Sequence, residues 1–105
     1  MSNSRRYEIL LPLKFNDGQR VPWNLIGETL QELKRHFGAV SWETQTIHGI
    51  WQHQETEYRD DLVRVVVDVE DRPEHRQFFR EYKERLKLRF RQLEIWTTTY
   101  PVDVM

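Results

Sequence analysis

The chain has 105 residues, 31% of them charged and 38% hydrophobic, and its formal charge of −1 with a pI near 6.4 gives no overall drive toward nucleic acid or an anionic membrane. The absence of cysteine excludes disulfides, thiolate nucleophiles and cysteine-based metal centres, and no apolar run approaches the ~20 residues that a membrane span needs. The expectation is a single cytoplasmic domain over residues 1–105, with an ordered core of about 7–100 and no cofactor.

Tyr7 to Leu13 is predicted as an inner strand, because apolar residues fill both parities before Pro12. Asn16-Asp17-Gly18 supplies turn chemistry. From Pro22, the positions Ile26, Leu30, Leu33 and Phe37 recur at helical spacing up to Gly38, which predicts a first helix. Ala39 to Trp51 is rich in β-branched and aromatic residues and reads as a second strand. Its apolar residues change parity between Trp42 and Ile47, so a bulge near Thr44 to Thr46 is expected to turn both sets inward. The polar stretch Gln52 to Asp60 then forms a hairpin tip before a third strand, Leu62 to Val69. There Val63, Val65, Val67 and Val69 share one face, and Arg64 and Asp68 the other. Pro73 and Glu74 open a second helix, whose stripe Phe79, Tyr82, Leu86, Phe90 and Leu93 packs inward with Phe78 at its flank. Ile95 to Tyr100 is a fourth strand, and Pro101 limits pairing beyond it.

This order resembles the ferredoxin-like βαββαβ fold from about Tyr7 to Tyr100. The resemblance implies an α+β sandwich: an antiparallel four-stranded sheet in the order 4-1-3-2 with both helices on one face. The run Leu62–Val69 and the ending Glu94–Val104 are similar to those of small uncharacterised bacterial proteins of that fold, a likeness that brings no named activity. A sheet face without helices must be solvated, hold a ligand or meet a partner. Arg64, Val66 and Asp68 are expected there, with Glu8, Leu10, Pro12 and Lys14 from the first strand and Trp96, Thr98 and Tyr100 from the fourth.

The tryptophans Trp23, Trp42, Trp51 and Trp96 are numerous for one small core, and such side chains anchor interfaces. The sequence therefore predicts a homo-oligomeric binding or interaction module, with Trp96, Tyr100 and Arg64 as interface or ligand-binding residues and a small molecule or protein as ligand. The alternative is a small enzyme: if the hairpin register sets His48 beside Val66, then His48, Arg64 and Asp68 meet on the open face as base, anion-binding group and orienting carboxylate. Arg76, Arg80, Lys83, Lys87 and Arg91 form a basic stripe within a segment, Arg72–Arg91, that carries eight Lys or Arg against three Glu. It would meet an acidic partner, or else serve as a solvated face. Nucleic acid is the less favoured partner, because the third strand has no aromatic platform for bases. No metal is expected, since His36, His48, His53 and His75 show no ligand spacing, and the scattered Gly18, Gly27, Gly38 and Gly49 form no phosphate cradle.

Overall fold

The computed structural model describes residues 3–105. In chain order it contains β1 (Ser4–Pro12), α1 (Trp23–Phe37), β2 (Ser41–Trp42), β3 (Ile47–His53), β4 (Thr56–Glu70), α2 (Pro73–Arg89) and β5 (Thr97–Val102). β4 and β1 are the central strands, β5 flanks β1, and β2 and β3 lie one after the other along the far side of β4, all antiparallel. The fold is ferredoxin-like, with its second strand broken into β2 and β3.

Alternation decides the layers. Tyr7, Ile9 and Leu11 stand opposite Val67, Val65 and Val63, and all of them are buried beneath the helices. α1 contributes Ile26, Leu30 and Leu33 to that layer, and α2 contributes Phe79, Tyr82 and Leu86. Tyr7 stacks on Phe79 with centroids 4.0 Å apart. α1 stops where expected, because Gly38 takes the left-handed conformation (φ 86°) and its N–H caps the Lys34 carbonyl. α2 begins at Pro73, where a missing N–H costs nothing.

Arg89 fastens the two helices together. Its guanidinium donates to both carboxylate oxygens of Glu32 at 2.9 Å and to Thr29 Oγ1 at 2.9 Å, while the Tyr82 hydroxyl donates to Glu32 at 2.7 Å. Burial alone would raise the Glu32 pKa, but the hydrogen bonds from Arg89 and Tyr82 outweigh it and hold the carboxyl below its ordinary range.

Several expectations need correction. The polar stretch 52–60 is mostly strand: β3 and β4 pair out to His53↔Thr56, and the chain reverses through Gln54 in the left-handed region (φ 57°). α2 ends at Arg89, so Phe90 fills the core from beyond the helix, while Leu93 is half exposed and leaves the predicted stripe. Pro101 lies within β5, opposite Arg5, and pairing continues to Val102. An edge strand tolerates it because an N–H directed away from the sheet is not missed.

The parity change also has a different outcome. Four residues, Glu43 to Thr46, span the distance covered by only Val63 and Arg64 on β4, since Trp42 pairs with Val65 and Ile47 with Leu62. A single extra residue would have flipped the strand, whereas this surplus of two leaves the alternation intact. Trp42 consequently stays on the helix side, and Ile47, Gly49 and Trp51 stand on the helix-free face.

Candidate functional site

The helix-free face is divided into an apolar end and a charged end. At the apolar end, Leu10 and Pro12 of β1 and Leu62 of β4 form the floor of a hollow of about 370 Å³. One wall is the β3–β4 arm, and the other is the segment from Gln92 to Trp96 that leads into β5. Trp51 stacks on Tyr58 with centroids 4.4 Å apart, and its indole N–H donates to Asp60 Oδ2 at 2.6 Å, which fixes the ring against the arm. Gly49 contributes no side chain, and a Cβ there would meet only Leu62 Cδ1 at 3.5 Å, so the room beside the floor comes partly from this residue. Trp96 is 64% exposed at the opposite wall. Glu94 lies on the same rim; burial would raise its pKa, but hydrogen bonds from Lys83 and from the Ile95 N–H hold it down, leaving a carboxylate at neutral pH.

The charged end is a ladder across three strands and the link after β2. Arg6 grips both oxygens of Asp68, at 2.7 and 2.9 Å. The Tyr100 hydroxyl donates to Glu8, and this acceptor raises the Tyr100 pKa against the opposing pull of Arg6. Arg64 Nη1 donates to Glu43 at 2.8 Å, while its Nε, which makes no hydrogen bond, lies 3.3 Å from Glu8. Every charge in the ladder has an opposite neighbour, so neither Arg6 nor Arg64 stands open as an anion receptor.

The structure does not bring His48, Arg64 and Asp68 together. His48 pairs with Asp61, not Val66, and so lies on the other face, where its Nδ1 is 2.8 Å from Asp61 Oδ1 and its side chain is 80% exposed. Lys14 lies beyond the end of β1 and also approaches Asp61, at 3.6 Å, instead of joining the open face. Trp96, just before β5, and Tyr100, within it, do share that face with Arg64. The tryptophans lie outside the core: Trp23, Trp42 and Trp96 are 57%, 46% and 64% exposed and Trp51 is half-buried. The basic stripe is discontinuous. Arg91 falls beyond α2 and covers the Phe15 ring, Lys83 pairs with Glu94 and Lys87 with Glu84, which leaves Arg76 and Arg80. Among the described residues no group of three or more His, Asp and Glu side chains is placed to hold a metal ion. His36 stacks on Phe78, and His75 bonds the Glu70 carbonyl at 2.8 Å.

Sequence reasoning had not grouped Leu10, Pro12, Leu62, Trp51 and Trp96 into one hollow. The signal was the odd parity shared by Ile47, Gly49 and Trp51, which needs only an uninterrupted alternation to place them beside Leu62.

No protein-family model and no curated protein matches this chain. Solved structures do. A phage SAM lyase in complex with S-methyl-5'-thioadenosine has a TM-score of 0.75 at 11% identity, over 96% of this chain and 83% of its own. CutA1 from Pyrococcus horikoshii OT3, as the D60A mutant, has a TM-score of 0.57 at 14% identity, over 96% and 85%. A phage SAM lyase in the apo state has a TM-score of 0.59 at 13% identity, over 93% and 78%. At these identities the likeness establishes a shared ferredoxin-like architecture.

Proposed function

We propose that this protein is a ligand-binding module that works as a homo-oligomer, with the apolar hollow on the helix-free sheet face as its ligand site. The observation that carries this reading is the placement of Trp51 and Trp96, neither of them core residues, on opposite walls of one apolar hollow. A volume of about 370 Å³ suits a small molecule. The floor offers apolar contact, Trp96 offers a stacking surface, and Asp60 and Glu94 accept hydrogen bonds, so the fitting ligand carries a flat ring and donor groups. A similarly folded phage enzyme in complex with S-methyl-5'-thioadenosine supports a compound of that chemistry as the first to try. Homo-oligomer formation is supported by the exposed Trp23, Trp42 and Trp96, which present more aromatic surface than an isolated small domain needs.

The test is a tryptophan-fluorescence titration with S-methyl-5'-thioadenosine and related nucleosides, repeated with Trp51→Leu and Trp96→Ala. Saturable binding weakened by both substitutions supports the site. Ligands that leave the fluorescence unchanged and give no calorimetric heat would remove it.

A small enzyme on the same face is the second reading, favoured by the Tyr100–Glu8 hydrogen bond beside Arg64, a proton donor and acceptor next to a cation. Incubation with SAM, followed by mass analysis for a product that Glu8→Gln fails to form, separates catalysis from binding.

A further inference from the structure

The ladder on the open face consumes its own charges, but α2 keeps two that are unused. The guanidinium groups of Arg76 and Arg80 make no hydrogen bond, ion pair or ring contact among the described residues. Both line a hollow of about 260 Å³ between α2 and β5, together with Thr97, Thr98 and Thr99, and both line a second one of about 430 Å³ beside Arg72. Among the described residues β5 is an edge with only β1 beside it. Because the Leu10 N–H donates to the Trp96 carbonyl at 3.0 Å, the antiparallel alternation turns the backbone groups of Thr97 and Thr99 away from β1. Pro101, next in that outward row, has no N–H to leave unpaired. An unpaired strand edge beneath two unpaired arginines is a receptor for an extended, acidic segment.

The same chain carries a free strand at its opposite edge, and the acidic residues lie on the hairpin that this strand builds. Among the described residues β3 pairs with β4 alone, so one side of its seven residues is free, against six in β5. The arm that it builds with β4 bears Glu55, Glu57, Asp60 and Asp61; Glu57 pairs with Arg59, Asp60 accepts from Trp51 and Asp61 meets His48 and Lys14, and Gln52 to Glu57 at the tip are all exposed among the described residues. The charge separation is general: Arg72–Arg91 holds eight basic and three acidic residues, leaving eight basic and fourteen acidic elsewhere.

We infer that copies of this chain join head to tail, the free edge of β3 in one copy adding to the β5 edge of the next, with the acidic arm set against Arg76 and Arg80. The contact uses different surfaces on its two sides, so it is heterologous and closes into a ring if the rotation permits. This rests on the homo-oligomer reading above and names the surfaces that carry it.

Charge reversal in two separate variants provides the test. Arg76→Glu/Arg80→Glu spoils the receiving edge and leaves the arm, whereas Glu55→Lys/Glu57→Lys spoils the arm and leaves the edge. By light scattering and sedimentation, the wild type associates, and each variant, folded by circular dichroism, has its dissociation constant raised at least about tenfold by like-charge contact. An equimolar mixture of the two makes both cross-contacts complementary and repels each variant from its own kind, so the two assemble in strict alternation, and a chain carrying both reversals assembles again with itself. A wild type that stays monomeric to about 100 μM, where interfaces of ordinary size are formed, overturns the inference and the homo-oligomer reading together. An oligomer that keeps its affinity in each variant made separately overturns only the inference. A monomer that retains a homopolymeric RNA through Arg76 and Arg80 would assign the groove to nucleic acid instead.

Discussion

Replacing Arg89 removes the side chain that joins the two helices. The guanidinium loses two hydrogen bonds to Glu32 and one to Thr29, all at 2.9 Å, and Glu32 is left with Tyr82 as its remaining partner. Exposed ion pairs contribute about 0–1 kcal/mol, and breaking a buried one costs about 3–5. The Arg89 and Glu32 side chains are 15% and 24% exposed, between these limits and nearer the second. Arg89→Met, which keeps most of the apolar stem, is therefore expected to cost about 2–3 kcal/mol. With a urea m-value of ~1.5 kcal/mol/M, the unfolding midpoint falls by roughly 1.3–2 M. Arg89→Met/Glu32→Gln removes the stranded charge and should recover about half of that loss.

The acid limb supplies an independent readout. The Glu32 pKa is depressed in the folded protein, so its contribution is present above the unfolded value of ~4.3 and is lost as the pH falls through the lower folded value. Arg89→Met should flatten this part of the stability profile. A midpoint shift below about 0.3 M in urea, or a double variant no more stable than Arg89→Met, would refute the reasoning by showing that solvent already screens the pair.

Leu33, wholly inaccessible to solvent, should cost about 2–5 kcal/mol on replacement by alanine, read from chemical denaturation. Gly38→Ala places a Cβ at φ 86° and should cost about 1–2 kcal/mol, although space around the residue is open, so a neutral result would mean that the cap relaxes. His48→Ala should alter stability by no more than about 0.5 kcal/mol and leave the nucleoside titration unchanged, because the imidazole is exposed on the far side of the sheet; a lost signal would return His48 to the site.

The order of elements and the core face were legible because they rest on local rules. The helical spacing from Ile26 to Phe37, the Gly38 stop, and the alternation of Val63, Val65 and Val67 each follow from neighbours in the chain, and the structure buries Ile26, Leu30, Leu33 and the three valines, with Phe37 partly buried against them. Even the division of the first strand into a core set and an open set followed from apolarity alone, with Tyr7, Ile9 and Leu11 turned inward.

The candidate site depended on quantities that periodicity does not contain. Whether the chain inserts one residue or two between Trp42 and Ile47 decides the face on which Trp51 stands, and four polar residues allow both. The pairing of His48 with Asp61 followed from that register and separated it from Arg64 and Asp68. Local sequence determined which residues are apolar and how often they recur, because secondary structure repeats over a few residues. Only the tertiary structure decided which recurring sets meet across strands, since register is fixed by packing between segments that are distant in the chain.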